Sequence, residues 1–260
     1  MPREAAAQAS LAALVRAGTA ACVTLAFVDE TLPDGAVDTL HVLQNDAPAA
    51  AGVAGPRKPI ADEMLDALAV EAARRDIPRI GIVNGDIVVL PDAVERDRAS
   101  GAPAAGFTRT DIGDGQAEES LLYGLDMFTF DVAFWKRERH RFRPYVFGDA
   151  IWDNVYGAIV ASYGGVLFTR DRLILHQRHQ SAWHGSPFNA YIQLLAARDS
   201  SYFSAWCAFV ERAKALRAAG GTMEEERVLQ RQVFHPPGAA VEALDVMRGS
   251  WWRLRRALGA

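Results

Sequence analysis

The chain has 260 residues, half of them apolar and 23% charged, with 28 basic against 32 acidic side chains and a formal net charge of -4. That is the profile of one large water-soluble α/β domain, alone or with a helical appendage, and it excludes a disordered or membrane-embedded chain. The acidic balance argues against nucleic acid as a partner, because such binding rests on neutralising phosphates.

Only Cys22 and Cys207 are present, far apart and in apolar company, so both read as buried thiols rather than as a disulfide framework or a metal site. The opening residues Met1-Pro2-Arg3-Glu4-Ala5 lack the form of a secretory signal, and no apolar run approaches the roughly 20 residues that span a bilayer. A cytoplasmic location is the expectation.

Alanine-rich residues 4–16 read as a short helix, followed by an apolar strand over 22–28, turn residues 32–35 and a second strand over 39–43. Ile60, Met64, Leu65, Leu68 and Ala69 recur at helical spacing, which predicts an amphipathic helix to about Arg75. Arg79-Ile80-Gly81-Ile82-Val83 then reads as a central parallel strand, ending in Asn84-Gly85-Asp86 before Ile87-Val88-Val89-Leu90. From Pro91 to Gly124 the chain is polar and Gly/Ala-rich apart from Ala105-Gly106-Phe107-Thr108, and reads as a mobile flap over the site. A strand over 127–130 and a short charged helix follow. Asp149 is placed to cap a helix that carries Trp152, Asp153, Val155, Ile159 and Val160. Leu173-Ile174-Leu175-His176 is a late strand, and from Pro187 onward the chain reads as helical, with breaks near Gly220-Gly221 and Pro236-Pro237.

Three groups of residues carry candidate chemistry. Asp86, at a strand end, can share a divalent cation with a diphosphate, though Asn-Gly is also common turn chemistry. Asp153 suits a general base toward a hydroxyl, beside a Trp152 able to stack on a sugar, but a helix first turn would lower its pKa. His176, His179 and His184 fall within nine residues and invite a metal reading, or are ordinary surface and core histidines.

Together these stretches resemble a family. Residues 79–87 (Arg-Ile-Gly-Ile-Val-Asn-Gly-Asp-Ile), 107–112 (Phe-Thr-Arg-Thr-Asp-Ile), 124–128 (Gly-Leu-Asp-Met-Phe), 147–154 (Phe-Gly-Asp-Ala-Ile-Trp-Asp-Asn) and 176–179 (His-Gln-Arg-His) are similar to glycosyltransferase-like proteins of the GT-A type. The resemblance covers about Cys22 to His184. It implies a Rossmann-like α/β fold with a mixed, mainly parallel sheet flanked by helices. The catalytic domain would span residues 1–196, with a helical C-terminal extension over 197–260 packed on it.

The resemblance further implies transfer of a hexosyl group from a nucleotide-diphosphate sugar to the hydroxyl of a glycan or lipid-linked acceptor, with inversion. Asp86, with Asn84, resembles the family's Asp-x-Asp motif, and His179, or else His176, would complete the shell of a Mn2+ or Mg2+ ion. Arg109, Gly124 and Asp126 would contact the donor, Trp152, Asn154 and His176 the sugar or acceptor, and Asp153 would be the base. Asn84 replaces the motif's first acid and removes a charge beside the ion. That keeps open a catalytically silent carbohydrate- or nucleotide-binding protein. A sugar-phosphate nucleotidyltransferase would need a Gly-rich basic loop after the first strand, which 27–31 lacks.

In residues 248–260, Trp251, Trp252 and Leu254 alternate with Arg248, Arg253, Arg255 and Arg256. That suits peripheral contact with the inner face of a membrane, or a helix packing its Trp residues on the domain.

Overall fold

A computed structural model describes residues 3–32, 35, 37–113, 119–179 and 185–259, without the side chains of Arg3 and Glu119. In chain order the elements are α1 (Arg3–Arg16), β1 (Val23–Phe27), β2 (Asp38–Leu43), α2 (Ala47–Ala51), α3 (Ala61–Arg74), β3 (Arg79–Val83), β4 (Ile87–Val89) and α4 (Pro91–Ser100). They continue with β5 (Ala104–Ile112), β6 (Glu119–Asp131), α5 (Val132–Glu138), a 3-10 turn (Arg139–Arg141), α6 (Trp152–Ser162), β7 (Val166–Phe168) and β8 (Ile174–Gln177). The late helices are α7 (Asn189–Arg198), α8 (Ser200–Ala218), α9 (Met223–Val233) and α10 (Ala239–Ala257). Of the expected turn at 32–35, Pro33 and Asp34 lie outside the described residues, as does His184.

The α/β class is met, and the sheet is mixed rather than mainly parallel. β1 and β2 pair in parallel on their own. Among the described residues, six strands form a second sheet in the order β3-β6-β5-β8-β4, with β7 also on β5. β5 is parallel to β7 and β8, but β3–β6, β5–β6 and β4–β8 are antiparallel. β3 stands at one end of this order, not at its centre. Its burial shows why: Ile80 and Ile82 are buried while Gly81 between them is exposed, the alternation of a strand covered on one face.

Alternation along β5 and β6 splits the core in two. Ala104, Leu125, Phe128 and Phe130 face a large cluster with α3, α5, α6, α8 and α9, whereas Ala105, Phe107 and Met127 face a smaller one with Leu14 of α1 and Ala93 of α4. Helices therefore cover both sheet faces.

The flap expected over 91–124 is instead α4, β5 and the start of β6, with residues 114–118 outside the described residues. Pro91 starts α4 with Asp92 in its first turn, and Gly101 closes it in the left-handed conformation at φ 61°. Only Ala93 and Asp97 of α4 are buried, so no apolar stripe marks the helix in the sequence. β5 is small-residue rich because its neighbours crowd it: a Cβ at Gly106 would meet Leu167, Phe128 and Leu125 within 3.0–3.2 Å.

The expected boundary between 196 and 197 falls inside α7, and the main core runs across it through Trp206, Phe209, Val210 and Leu229. Gly157 of α6 sits where a Cβ would collide with Leu125 of β6 and Trp206 of α8, so three elements meet on its bare backbone. The two thiols are half-buried rather than buried, and burial pushes both upward in pKa. Among the described residues no helix is long and apolar enough to cross a membrane.

Arg79 ties the sheet end to α4. Its guanidinium donates to both Asp97 oxygens, at 2.5 and 2.6 Å, and to Asp131 Oδ1 at 2.7 Å. The Asp97 side chain is only 5% exposed. Arg79→Met, which strands that carboxylate, is expected to lower stability to urea by about 3–5 kcal/mol. A loss below about 1 kcal/mol would remove the pair from the list of interactions that hold α4.

Candidate metal centre

Strand register assembles the site. β8 lies between β4 and β5, so that His176 is paired with Ile87 on one side and with Asp111 on the other. Asp86 immediately precedes Ile87 in the β3–β4 turn, which is closed by Ile87 N–H donating to Asn84 O at 3.1 Å. His179 follows the end of β8 by two residues. Three side chains from two distant parts of the sequence thereby converge.

Asp86, His176 and His179 form a group whose ligand atoms all lie within 4.8 Å of one another, a set that can hold a metal ion. Asp86 Oδ2 is 3.1 Å from His179 Nε2 and 3.5 Å from His176 Nε2. The two imidazoles lie edge to face with centroids 4.8 Å apart. On the far side of its ring, His176 Nδ1 is 2.8 Å from Asp111 Oδ1. This orients Nε2 toward Asp86, the carboxylate–histidine arrangement that supports metal-binding imidazoles.

A second layer holds the first. Arg109 donates from Nε to Asp111 at 2.9 Å and from a terminal nitrogen to Asp126 Oδ2 at 2.8 Å. The other oxygen of Asp126 accepts from the Asn84 side-chain amide. Because that amide nitrogen is committed, Asn84 Oδ1 faces away from Asp126; it is buried and has no hydrogen-bond partner among the described residues. An acceptor without a donor beside Asp86 is what a site for a hydroxyl or a cation would leave. Asn84, Gly85 and Asp86 line a cleft of about 370 Å³ with Glu4, Lys58, Phe147 and Gly148.

Electrostatics follow from these contacts. Hydrogen bonding to His176, joined by His179, holds the Asp86 carboxyl well below the usual range against the opposing effect of burial. Burial pulls the His176 imidazole down, yet its bonds to Asp111 and Asp86 outweigh it and push the pKa up to about 9. Asp111, although partly desolvated, is lowered by His176 and Arg109. Without a metal, an imidazolium therefore supplies the positive charge between two carboxylates.

The structure moves several sequence expectations. Trp152 is 2% exposed, and Phe128, Phe147 and Tyr156 occupy its ring faces and edges, so it is a core residue rather than a sugar platform. Asn154 is also buried, its amide 3.5 Å from Tyr123 O. Asp149 does not cap α6: Ile151, at φ 77°, holds that position. Asp149 instead accepts from Ala150 N, Lys58 Nζ and Ser186 Oγ, joining three segments at 2.9, 3.1 and 2.8 Å. Gly124 and Asp126 belong to strand β6, not to a loop; a Cβ at Gly124 would crowd Arg109 at 3.2 Å, so the glycine clears the path of that side chain.

Asp153 is in the first turn of α6 as expected, but burial and the charge of Asp126 raise its pKa well above the carboxylate range, reversing the helix-end effect. One of its oxygens accepts from Leu125 N at 3.2 Å. Through that bond it anchors β6 to α6. Asp111 is the member of the candidate site that residue-type reasoning passed over. Its alternation with Arg109 on one strand face was the available signal, hidden while the stretch read as a flap.

Asp111→Asn is expected to weaken Mn2+ or Zn2+ binding, measured by calorimetry, by about 10–100-fold without unfolding the chain, since it loosens the orientation of His176. Asp86→Ala should abolish binding, and undiminished affinity in both variants would place the metal elsewhere. No protein-family model, curated protein or solved structure matches the chain.

Proposed function

We propose that the chain is a glycosyltransferase that moves a sugar from a nucleotide-diphosphate sugar to an acceptor hydroxyl, assisted by a divalent cation on Asp86, His176 and His179. The observation that carries this reading is the meeting of those three side chains, of which Asp86 also lines a cleft with Asn84 and Lys58. Two imidazoles with one carboxylate favour manganese over magnesium, which prefers an all-oxygen shell. When bound, such an ion neutralises the charge that builds on a departing diphosphate.

The chain's own residues divide the remaining work. Asn84 Oδ1 accepts a donor hydroxyl, which satisfies its unused lone pairs, and Gly85 keeps the approach to Asp86 free of a side chain. Arg109 stays engaged with Asp111 and Asp126 and acts by holding the site rather than by gripping phosphate. Asp153 positions β6, so the proposal assigns it no proton transfer, and inversion no longer has that residue as its base.

A second reading, a nucleotide-sugar-binding protein without turnover, is favoured by two particulars: Asn84 stands where the family carries an acid, and Asp153 is buried with its carboxylate held by the β6 backbone. A thermal-shift panel of uridine, guanosine and thymidine diphosphates with and without Mn2+ tests the donor site. One nucleotide is expected to stabilise the chain by about 2.7 kcal/mol at one hundred times its Kd, only with metal, and not in Asp86→Ala. Stabilisation by none of them would sink both readings. Release of nucleoside diphosphate from the matching sugar nucleotide then separates enzyme from silent binder. In an active enzyme, Asp153→Asn should retain release within about threefold, about 0.7 kcal/mol of barrier; a loss beyond about a hundredfold would restore Asp153 as the base.

A further inference from the structure

α10 is docked by the wrong residues for an ordinary amphipathic helix. Its buried positions are Asp245 and Gly249. Asp245 accepts from Ser200 Oγ and from Ser201 N at the start of α8, and a Cβ on Gly249 would overlap the Arg198 side chain of α7. The large apolar residues are turned to solvent: Leu244, Met247, Trp251, Leu254 and Leu258 are 47%, 58%, 63%, 49% and 73% exposed. Their spacing of three and four places them in one stripe along the helix.

Charge says what covers that stripe. Residues 246–260 hold Arg248, Arg253, Arg255 and Arg256 and no acid; Arg248 pairs with Asp245 at 3.2 Å, which leaves Arg253, Arg255 and Arg256 as a local +3 on a chain of net -4. Arg248 and Arg255 each follow a stripe residue by four positions, so they border it. A second copy laid in parallel along the stripe would bring the arginines together, whereas an anionic lipid surface offers both opposite charge and an apolar interior. Trp251 suits the boundary between the two, with an apolar ring and one polar N–H. The helix is too polar to span a bilayer.

We propose that α10 is an interfacial helix that lies on an anionic lipid bilayer, with Leu244, Met247, Trp251, Leu254 and Leu258 inserted among the acyl chains and the arginines on the headgroups. The proposal stands apart from the chemistry at Asp86. The full chain, mixed with vesicles of phosphatidylcholine and phosphatidylglycerol at about 3:1, an anionic surface of the kind that attracts basic segments, is expected to co-sediment at low salt and to release in high salt. With Arg253, Arg255 and Arg256 all changed to Ala, the partition constant should fall by about a hundredfold, from about 1 kcal/mol for each arginine near the surface. Trp251→Ser with Leu254→Ser should abolish binding; both sites are exposed, and an unchanged circular dichroism spectrum verifies the fold. Failure of the wild-type chain to bind, or undiminished binding by the serine variant, would overturn the proposal. So would a dimer in sedimentation velocity that the serine variant disperses, which would assign the stripe to a second copy.

Discussion

The backbone pairing of β8 between β4 and β5 decides where everything else at the candidate centre can be. His176 has Ile87 across one ladder and Asp111 across the other. Side chains on a strand alternate between faces, so a shift of one residue would turn His176 to the opposite face and part it from Asp86 and Asp111. The hydrophobic neighbours of β8 forbid that shift, because Ile174 is fully buried in the smaller core with Phe107 and Leu173. Apolar packing on one side of the sheet thus sets the geometry of polar groups at its edge.

The charges that packing delivers could not sit there unpaired. Arg109 is hemmed between Asp111 and Asp126, and Asp126 is shared in turn with Asn84. Each member satisfies another, so the network is stiff for the reason it is tolerated: burial penalises any arrangement in which one group lets go. Among the described residues, Asn84 Oδ1 is the point at which this satisfaction stops. Asn84 itself lines the cleft, two residues from the carboxylate that two histidines address.

Local pattern made much of this legible. The helices 3–16 and 61–74, the strand ending at Val83 and the helical run after 187 follow from apolar spacing and breakers, and the elements match within a residue or two. A meeting of Asp86 with one imidazole of the 176–184 group was open to residue type, and His179, or else His176, was what the resemblance of 79–87 and 176–179 implied. What escaped depends on contacts between distant segments. β5 hid behind Ala104, Ala105 and Gly106, which look like loop residues until Phe128 and Leu167 are seen to press on them. Trp152 and Asp153 looked accessible because a first turn often is; here Phe128, Phe147 and Tyr156 close over one, and the β6 backbone takes the other.

Gly157 carries a consequence for how the molecule comes apart. Its missing side chain lets Trp206 of α8 and Leu125 of β6 rest against the same turn of α6, and the amide of Leu125 is the one that Asp153 holds. Loosening α8 therefore removes a wall that Leu125 leans on. Leu125 shares the large core with Phe128 and stands next to Asp126 on β6, the carboxylate that binds Arg109 and Asn84. The late helices and the sheet edge bearing the candidate metal ligands are therefore expected to form one cooperative unit, which heat or denaturant should melt together rather than in sequence.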